Sequence, residues 1–113
     1  MIRISNIVVF DLHNSNCTIS NTAEQIISMF QNTSIPIVNN IYDFENHKLI
    51  KMDDENICGV VVRATHNIEN LIYGDIILYE DGTDDKRMKN YQISGEYNKD
   101  GNFEIDKIIS VEF

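Results

Sequence analysis

Hydrophobic and polar residues alternate along much of the chain with the two-residue period of β-strands. Isoleucines alternate with polar residues from the second position and lead into a short apolar run, so residues 2–12 are predicted to form a first strand. Residues 57–65 are apolar and β-branched enough for a central strand. We expect residues 66–73 to be a connection that leads into a further strand over residues 76–79.

The spacing of one helical face, with apolar residues three and four positions apart, occurs in one place, after the first predicted strand. Thr22 and Gln25 form the Thr-x-x-Gln pattern of a capping box at a helix start. The apolar residues that follow recur at intervals of three and four, at Ala23, Ile26, Ile27 and Phe30. The sequence therefore predicts one short helix, whose apolar stripe packs on a sheet.

Turn residues in the last third predict a β-hairpin. Residues 91–97 and 103–113 read as strands on either side of residues 98–102, which contain Asp-Gly. Residues 35–38 are predicted to be an edge strand, because Pro36 has no N–H to donate. The predicted fold class is α+β. We expect an antiparallel, meander-rich sheet, as a sandwich or a partly open small barrel, with one short covering helix.

Length and composition fit a single domain spanning residues 1–113. The chain contains 19 isoleucines but four leucines and two alanines, a balance that favours sheet over helix. It also contains 14 asparagines, and heavy use of isoleucine and asparagine is typical of AT-rich coding. We therefore expect the source to be a low-GC bacterium, or a phage or mobile element of one.

The net charge of −9 excludes several partners and favours another. An anionic protein is repelled by nucleic-acid phosphates and by anionic membranes, so we expect it to bind neither directly. Basic protein surfaces attract it instead. The N-terminal residues lack the pattern of a signal peptide, and we expect a cytoplasmic protein of a bacterial host cell.

The excess of negative charge is concentrated in the middle of the chain. Residues 41–85 hold eleven carboxylates against three basic residues, a net −8, whereas residues 86–113 hold five charges of each sign. Such clusters either form a solvated rim that keeps a protein soluble, or an anionic face that docks on a basic groove. The predicted partner-binding residues are Asp43, Glu45, Asp53, Asp54, Glu55, Glu80, Asp81, Asp84 and Asp85.

Candidate metal and catalytic residues are present in weaker patterns, and we expect no cofactor, no metal and no catalytic residue. Glu96, Asn98 and Asp100 match the start of a calcium loop, but Lys107 stands where a bidentate carboxylate is needed. His13 and Cys17 have zinc-like spacing without a second pair of ligands. Cys17 and Cys58 lack the basic surroundings that activate a thiol.

One short stretch resembles a known family. Ile72-Tyr73-Gly74-Asp75-Ile76-Ile77, followed by Asp81-Gly82, is similar to the Ile-Tyr-x-Gly-Asp-Ile stretch of phage YopX-type proteins, with one residue fewer between Tyr and Gly. A Gly-Asp-Ile turn into a strand occurs in many small β folds, so this resemblance assigns neither fold nor function.

These observations rank three functions. The first is a non-enzymatic acidic inhibitor from a phage or mobile element, which binds a basic host protein such as a nucleic-acid enzyme, in the manner of anti-CRISPR or immunity proteins. The second is a small-ligand binding or sequestering domain, with the five tyrosines lining a pocket between helix and sheet. The third is a small enzyme whose site the sequence does not reveal.

Overall fold

Eight strands and one helix make up the described part of the chain, and most of it is sheet. The computed structural model describes residues 1–13, 18–31, 33–39, 41–43, 48–49, 56–79 and 88–113, with the backbone alone at residues 42–43 and 48–49. In chain order the elements are β1 (Ile2–Asp11), α1 (Ala23–Gln31), β2 (Ile35–Val38), β3 (Tyr42–Asp43), β4 (Lys48–Leu49), β5 (Ile57–Ile68), β6 (Leu71–Leu78), β7 (Asn90–Tyr97) and β8 (Phe103–Glu112).

The main sheet has six strands and is mixed. Its strand order is β1-β6-β5-β2-β8-β7, and β3 pairs with β4 in a separate ribbon. All neighbours run antiparallel except β2 and β8, which are parallel where Ile37 faces Val111. The α+β prediction agrees with this mostly-sheet architecture, but the predicted antiparallel, meander-rich sheet is in fact mixed. The contact between β2 and β8 joins segments that are far apart in sequence, and no local sequence pattern predicts such a contact.

The strand that contains Pro36 lies inside the sheet rather than at its edge. β2 has β5 on one side and β8 on the other, so the predicted edge position was wrong. Pro36 lies opposite Val60 of β5, and the register between β2 and β8 places Ile37 opposite Val111. Proline is therefore accommodated between two neighbours.

The segment predicted as a connection is part of a long hairpin. β5 continues to Ile68, and β6 starts at Leu71 after a turn in which Glu69 has a φ of 54°. The polar residues 65–67 suggested a loop, but they lie on the exposed parts of a strand that keeps its backbone partners on β6. Backbone pairing needs no apolar side chain, so the hairpin extends beyond its hydrophobic part.

The helix and the sheet bury a single core on one face. The predicted capping box is confirmed: Thr22 N donates to Gln25 Oε1 at 3.0 Å, and Gln25 N donates to Thr22 Oγ1 at 3.2 Å. α1 packs mainly on β5 and buries Ile26 and Phe30 completely. Isoleucine and valine dominate the sheet side of the core, at Ile7, Val9, Ile35, Ile37, Val61, Ile72, Ile76, Ile105, Ile108 and Val111.

The two outer strands of the six-stranded sheet touch one another. Tyr91 of β7 stacks on Phe10 of β1 with ring centroids 4.3 Å apart. Just before β7, Met88 N donates to Val8 O of β1 at 2.9 Å. The sheet is therefore curved enough for its first and last strands to meet.

The predicted hairpin of the last third is confirmed. β7 and β8 pair along their length, and Gly101 adopts a φ of 80° in the turn between them. Among the residues described, no helix has the length and apolar character needed to cross a membrane.

Candidate functional site

The predicted partner-binding carboxylates fall almost entirely outside the described residues. Asp43 lies in β3, where only the backbone is described. The other eight, which are Glu45, Asp53, Asp54, Glu55, Glu80, Asp81, Asp84 and Asp85, lie outside the described residues. Their proximity to one another therefore stays a prediction.

The described residues that flank these carboxylates lie at or next to the same end of each strand in the ladder of the main sheet. β2, β6 and β8 finish there and β1, β5 and β7 begin there, as the registers show by placing Val38 opposite Ile57 and Ile2 opposite Leu78. We call this the upper end and define it by Val38, Ile57, Leu78, Asn90 and Glu112. Backbone hydrogen bonds from Asn39 N to Asn56 O and from Tyr79 N to Cys58 O hold it together, each at 2.9 Å.

A carboxylate ties two of the flanking segments to the upper end. Glu112 Oε2 accepts a hydrogen bond from Ile41 N at 2.7 Å, and its Oε1 accepts one from Asn90 Nδ2 at 2.8 Å. Glu112 therefore holds Ile41, which precedes residues 44–47, and Asn90, which follows residues 80–87, next to each other. This carboxylate was not predicted, because Ile41 is distant from it in sequence.

Asp75 is a buried carboxylate at the centre of β6, on the face opposite the core. Its side chain is 7% exposed. Oδ2 accepts a hydrogen bond from Arg63 Nε at 2.8 Å, and Oδ1 accepts one from Asn6 N at 3.3 Å. Arg3 Nη2 lies 3.8 Å from the same Oδ2. One carboxylate thus joins β1, β6 and β5.

The surroundings of Asp75 favour its charged form. The hydrogen bond from Arg63 is the largest influence that lowers the pKa of the carboxyl group below its usual value. Burial opposes this by raising the pKa, while the Asn6 N–H and the positive charges of Arg63 and Arg3 lower it further. Asp75 is therefore ionised at neutral pH and is paired within the fold.

Two bulges and a glycine make this pairing possible. The register between β5 and β6 shifts between Val61 and Arg63, and that between β1 and β6 shifts where Asn6 adopts a φ of 60°. A Cβ atom at Gly74 would collide with the carbonyl oxygen of Arg63. Glycine at this position lets β5 approach closely enough for Arg63 to face Asp75, which explains the Gly-Asp pair structurally.

The Asp75–Arg63 pair leaves the charge of the middle segment unchanged. Removing one acid and one base from residues 41–85 leaves ten carboxylates against two lysines, again a net −8. The one arginine of this segment is therefore already engaged by a buried partner. Without this pair, the segment has five carboxylates for every basic residue, compared with fewer than four in the full sequence count.

Asn98 and Cys58, two residues of the weaker metal and nucleophile patterns, make hydrogen bonds within the fold. Asn98 Oδ1 accepts hydrogen bonds from Asp100 N and Asn102 N, both at 3.0 Å, as part of the hairpin turn. Burial raises the pKa of the Cys58 thiol, and Cys58 Sγ donates to Ile37 O at 3.5 Å. In the described ranges, no three His, Cys, Asp or Glu side chains gather closely enough to hold a metal ion. Cys17 and His47 lie outside those ranges.

The tyrosines whose side chains are described lie in four separate places. Tyr73 stacks on His66 on the face opposite the core, and Tyr91 stacks on Phe10. Tyr79 and Tyr97 are 46% and 67% exposed. They do not line a common pocket, and buried Ile26 and Phe30 pack between the helix and the sheet.

Comparisons with known proteins add no relative. No family model matches the chain, no curated protein matches it, and no solved structure matches its fold.

Proposed function

We propose that this chain is a non-enzymatic acidic inhibitor that docks on a basic protein surface through the nine predicted partner-binding carboxylates between residues 41 and 85. The observation that carries the proposal is the net −8 of this segment, whose described flanks include two pairs at strand ends, Val38 with Ile57 and Gly59 with Leu78. We infer that the surface connections that leave and return at these strand ends carry the binding residues. The nine predicted carboxylates would then form one anionic face.

The partner class follows from the sign and density of the charge. A face with this excess of carboxylates is attracted to clefts lined by lysine and arginine, and such clefts are typical of enzymes that bind nucleic acid. Occupying the cleft would exclude the nucleic-acid substrate without any chemistry on the inhibitor. The isoleucine- and asparagine-rich composition fits a low-GC bacterium or a phage or mobile element of one, and for a phage or mobile element the target would be a host nuclease or a defence enzyme.

We also propose that the main sheet closes into a partly open small barrel rather than a sandwich. The stacking of Phe10 on Tyr91 and the hydrogen bond from Met88 N to Val8 O support this, because they connect the first and last strands. A barrel removes exposed sheet edges that would otherwise pair with other chains. It would also give the upper end a rigid rim from which to present the acidic segments.

The inhibitor proposal is tested by capturing a binding partner and then measuring the rate at which the two proteins associate. The protein is used at low salt to capture partners from a low-GC bacterial lysate, and each captured protein is then purified and measured by itself. We expect a basic nucleic-acid enzyme whose activity falls on binding. Its association rate should decrease at least about tenfold as ionic strength rises from about 0.01 M to 0.15 M, because added salt screens long-range attraction.

A matched pair of variants assigns the docking face. The triple variant Asp53→Asn, Asp54→Asn, Glu55→Gln should slow association about tenfold. The control Asp100→Asn, Glu104→Gln, Asp106→Asn removes the same three charges from the hairpin at the opposite end of the sheet, and association should change less than about twofold. Equal losses in both variants would mean that net charge alone matters, and the docking-face proposal would be wrong.

A further inference from the structure

We propose that Arg3 and Arg63 form a binding site for a carboxylate group on the face of the sheet opposite the core. This arginine site, which comprises Arg3, Arg63 and Asp75 with the neighbouring pair Tyr73 and His66, is independent of the acidic docking face. The site is a small positively charged region on a protein of net negative charge. Its test does not depend on the inhibitor proposal.

The alternation of side chains along β6 places these residues on one face. Ile72 and Ile76 are buried in the core, so Tyr73 and Asp75 point to the other side of the sheet. The register pairs Arg63 with Asp75 and His66 with Tyr73 on β5. Arg3, which faces Ile77, reaches the same side from β1.

The two guanidinium groups converge on a single carboxylate oxygen. Arg63 Nε lies 2.8 Å from Asp75 Oδ2, and Arg3 Nη2 lies 3.8 Å from the same atom. Two positive charges therefore share one negative charge, and the cluster keeps a net charge of +1. The like charges of Arg3 and Arg63 repel each other at this separation, so a second anion between them is favoured.

Hydrogen-bond donors remain available at this point. Each guanidinium group carries five N–H donors, yet Arg63 uses Nε for Asp75 and Arg3 makes only the longer contact. The two side chains are 57% and 54% exposed, and no other described residue accepts a hydrogen bond from either of them. Their outer nitrogens face solvent.

A carboxylate is the anion that these features fit best. It carries one negative charge, which balances the cluster, whereas a doubly charged phosphate would reverse its sign. Its two oxygens match the parallel N–H groups of a guanidinium fork. The net −9 of the chain opposes anion approach, but at about 0.15 M salt a charge is screened beyond about 8 Å, so the adjacent arginines dominate.

A flat aromatic pair lies next to the arginines. The rings of His66 and Tyr73 are stacked with centroids 5.2 Å apart and planes 7° apart. Thr65 Oγ1 lies 2.8 Å from His66 Nδ1 and holds the imidazole in place. A ligand whose carboxylate is bound by the arginines can lay a planar body against this pair, which favours an aromatic or unsaturated small acid.

Nuclear magnetic resonance titration at constant ionic strength tests the site. Acetate, benzoate and inorganic phosphate are added separately while the Nε–Hε signals of the arginines and the backbone amide of Asn6 are followed. We expect saturable shifts with acetate and tighter binding with benzoate, with a Kd of about a millimolar. Arg3→Gln should weaken benzoate binding about tenfold, the equivalent of one lost charged hydrogen bond. Lys107→Gln, which removes the same charge from β8, should leave it unchanged.

Three outcomes would overturn the proposal. Shifts that grow linearly without saturation, or that persist equally in Arg3→Gln, would mean unspecific attraction. Saturation with phosphate but not with either carboxylate would assign the site to another ligand class. Arg3 contacts Asp75 only at 3.8 Å and is more than half exposed, so the variant is expected to fold, and a urea titration confirms this before the binding is measured.

The source of the carboxylate is settled by a further probe. N-acetylglutamate amide presents the same group as an acidic side chain of a protein. Binding tighter than that of benzoate would assign the site to a polypeptide partner, and weaker binding would assign it to a free planar acid. The carboxylate assignment stands in both cases.

Discussion

The Asp75 carboxylate is the residue on which three strands depend. It accepts one hydrogen bond from β5 and one from the bulge of β1, while its own strand lies between them. A buried carboxylate is stable only when charged donors replace the lost water. Arg63 supplies that replacement, and the exposed end of Arg63 keeps most of its own hydration.

Asp75→Asn should lower the free energy of unfolding by about 1–3 kcal/mol. The amide oxygen can still accept from Asn6 N, but the amide nitrogen or the uncharged oxygen is a poor partner for Arg63. Urea unfolding at neutral pH measures the loss. Asp106→Asn is the control, because Asp106 is exposed on β8, and it should change the free energy by less than about 0.5 kcal/mol.

The contribution of Asp75 should also depend on pH in a defined direction. Its pKa in the folded protein lies below the usual value of 3.8, so the folded state holds the proton less tightly than the unfolded state. The stabilisation is therefore present above that usual value and is lost as pH falls through the lower folded pKa.

The stability difference between wild type and Asp75→Asn measures this dependence. It should be constant between neutral pH and about pH 5, and should shrink below the usual pKa of 3.8. Comparing the two proteins removes the contributions of the other carboxylates. A difference that already disappears near pH 5 would mean that the pKa is raised rather than lowered.

Tyr91 makes the contact between outer strands that a curved sheet requires. Its hydroxyl accepts a hydrogen bond from Asp11 N at 3.0 Å and donates one to Met88 O at 2.9 Å. Its ring covers Phe10. One side chain therefore connects the end of β1 with the start of β7.

Tyr91→Phe should keep the ring contact but lower the free energy of unfolding by about 1–3 kcal/mol, because two backbone groups lose this partner. Amide exchange at Asp11 should accelerate more than at the centre of β1. The matched control is Tyr97→Phe, since Tyr97 is 67% exposed on the hairpin, and it should have little effect. Equal effects of the two changes would contradict the role of Tyr91 as a contact between β1 and β7.

Elements defined by neighbouring residues could be predicted, and those defined by distant pairing could not. The capping box of α1 and the turn at Gly101 involve residues a few positions apart, and both are confirmed. The parallel contact of Ile37 with Val111 and the pairing of Arg63 with Asp75 depend on strand order and on bulges. The hydrophobic periodicity of the sequence predicts neither of these two contacts. The predicted carboxylate face stays a prediction, because its side chains lie outside the described residues.

At the scale of the whole molecule, the concentration of negative charge lowers the stability of the folded state. A net charge of −9 repels itself in any compact state, and nearly all of it comes from the segment between residues 41 and 85. The last 28 residues, by contrast, are balanced in charge. A protein that needed charge only for solubility could spread it over its whole surface at lower electrostatic cost.

Neutralising part of this negative charge should therefore raise the stability of the fold and slow association with the proposed partner. We expect Asp53→Asn, Asp54→Asn, Glu55→Gln to raise the free energy of unfolding by up to about 1 kcal/mol at low salt, because self-repulsion falls. The gain should shrink as salt is added, while the slower association with the basic partner persists. Urea titrations at two ionic strengths, compared with the Asp100, Glu104 and Asp106 triple variant, measure it.

The sign of the stability change decides between two roles for these carboxylates. A docking face is exposed and unpaired before the partner arrives, so its neutralisation relieves repulsion and leaves the fold intact. Carboxylates that accept hydrogen bonds within the fold, as Asp75 and Glu112 do, would instead destabilise it when neutralised. A loss of more than about 1 kcal/mol in the triple variant would place residues 53–55 in that second class and would remove them from the proposed docking face.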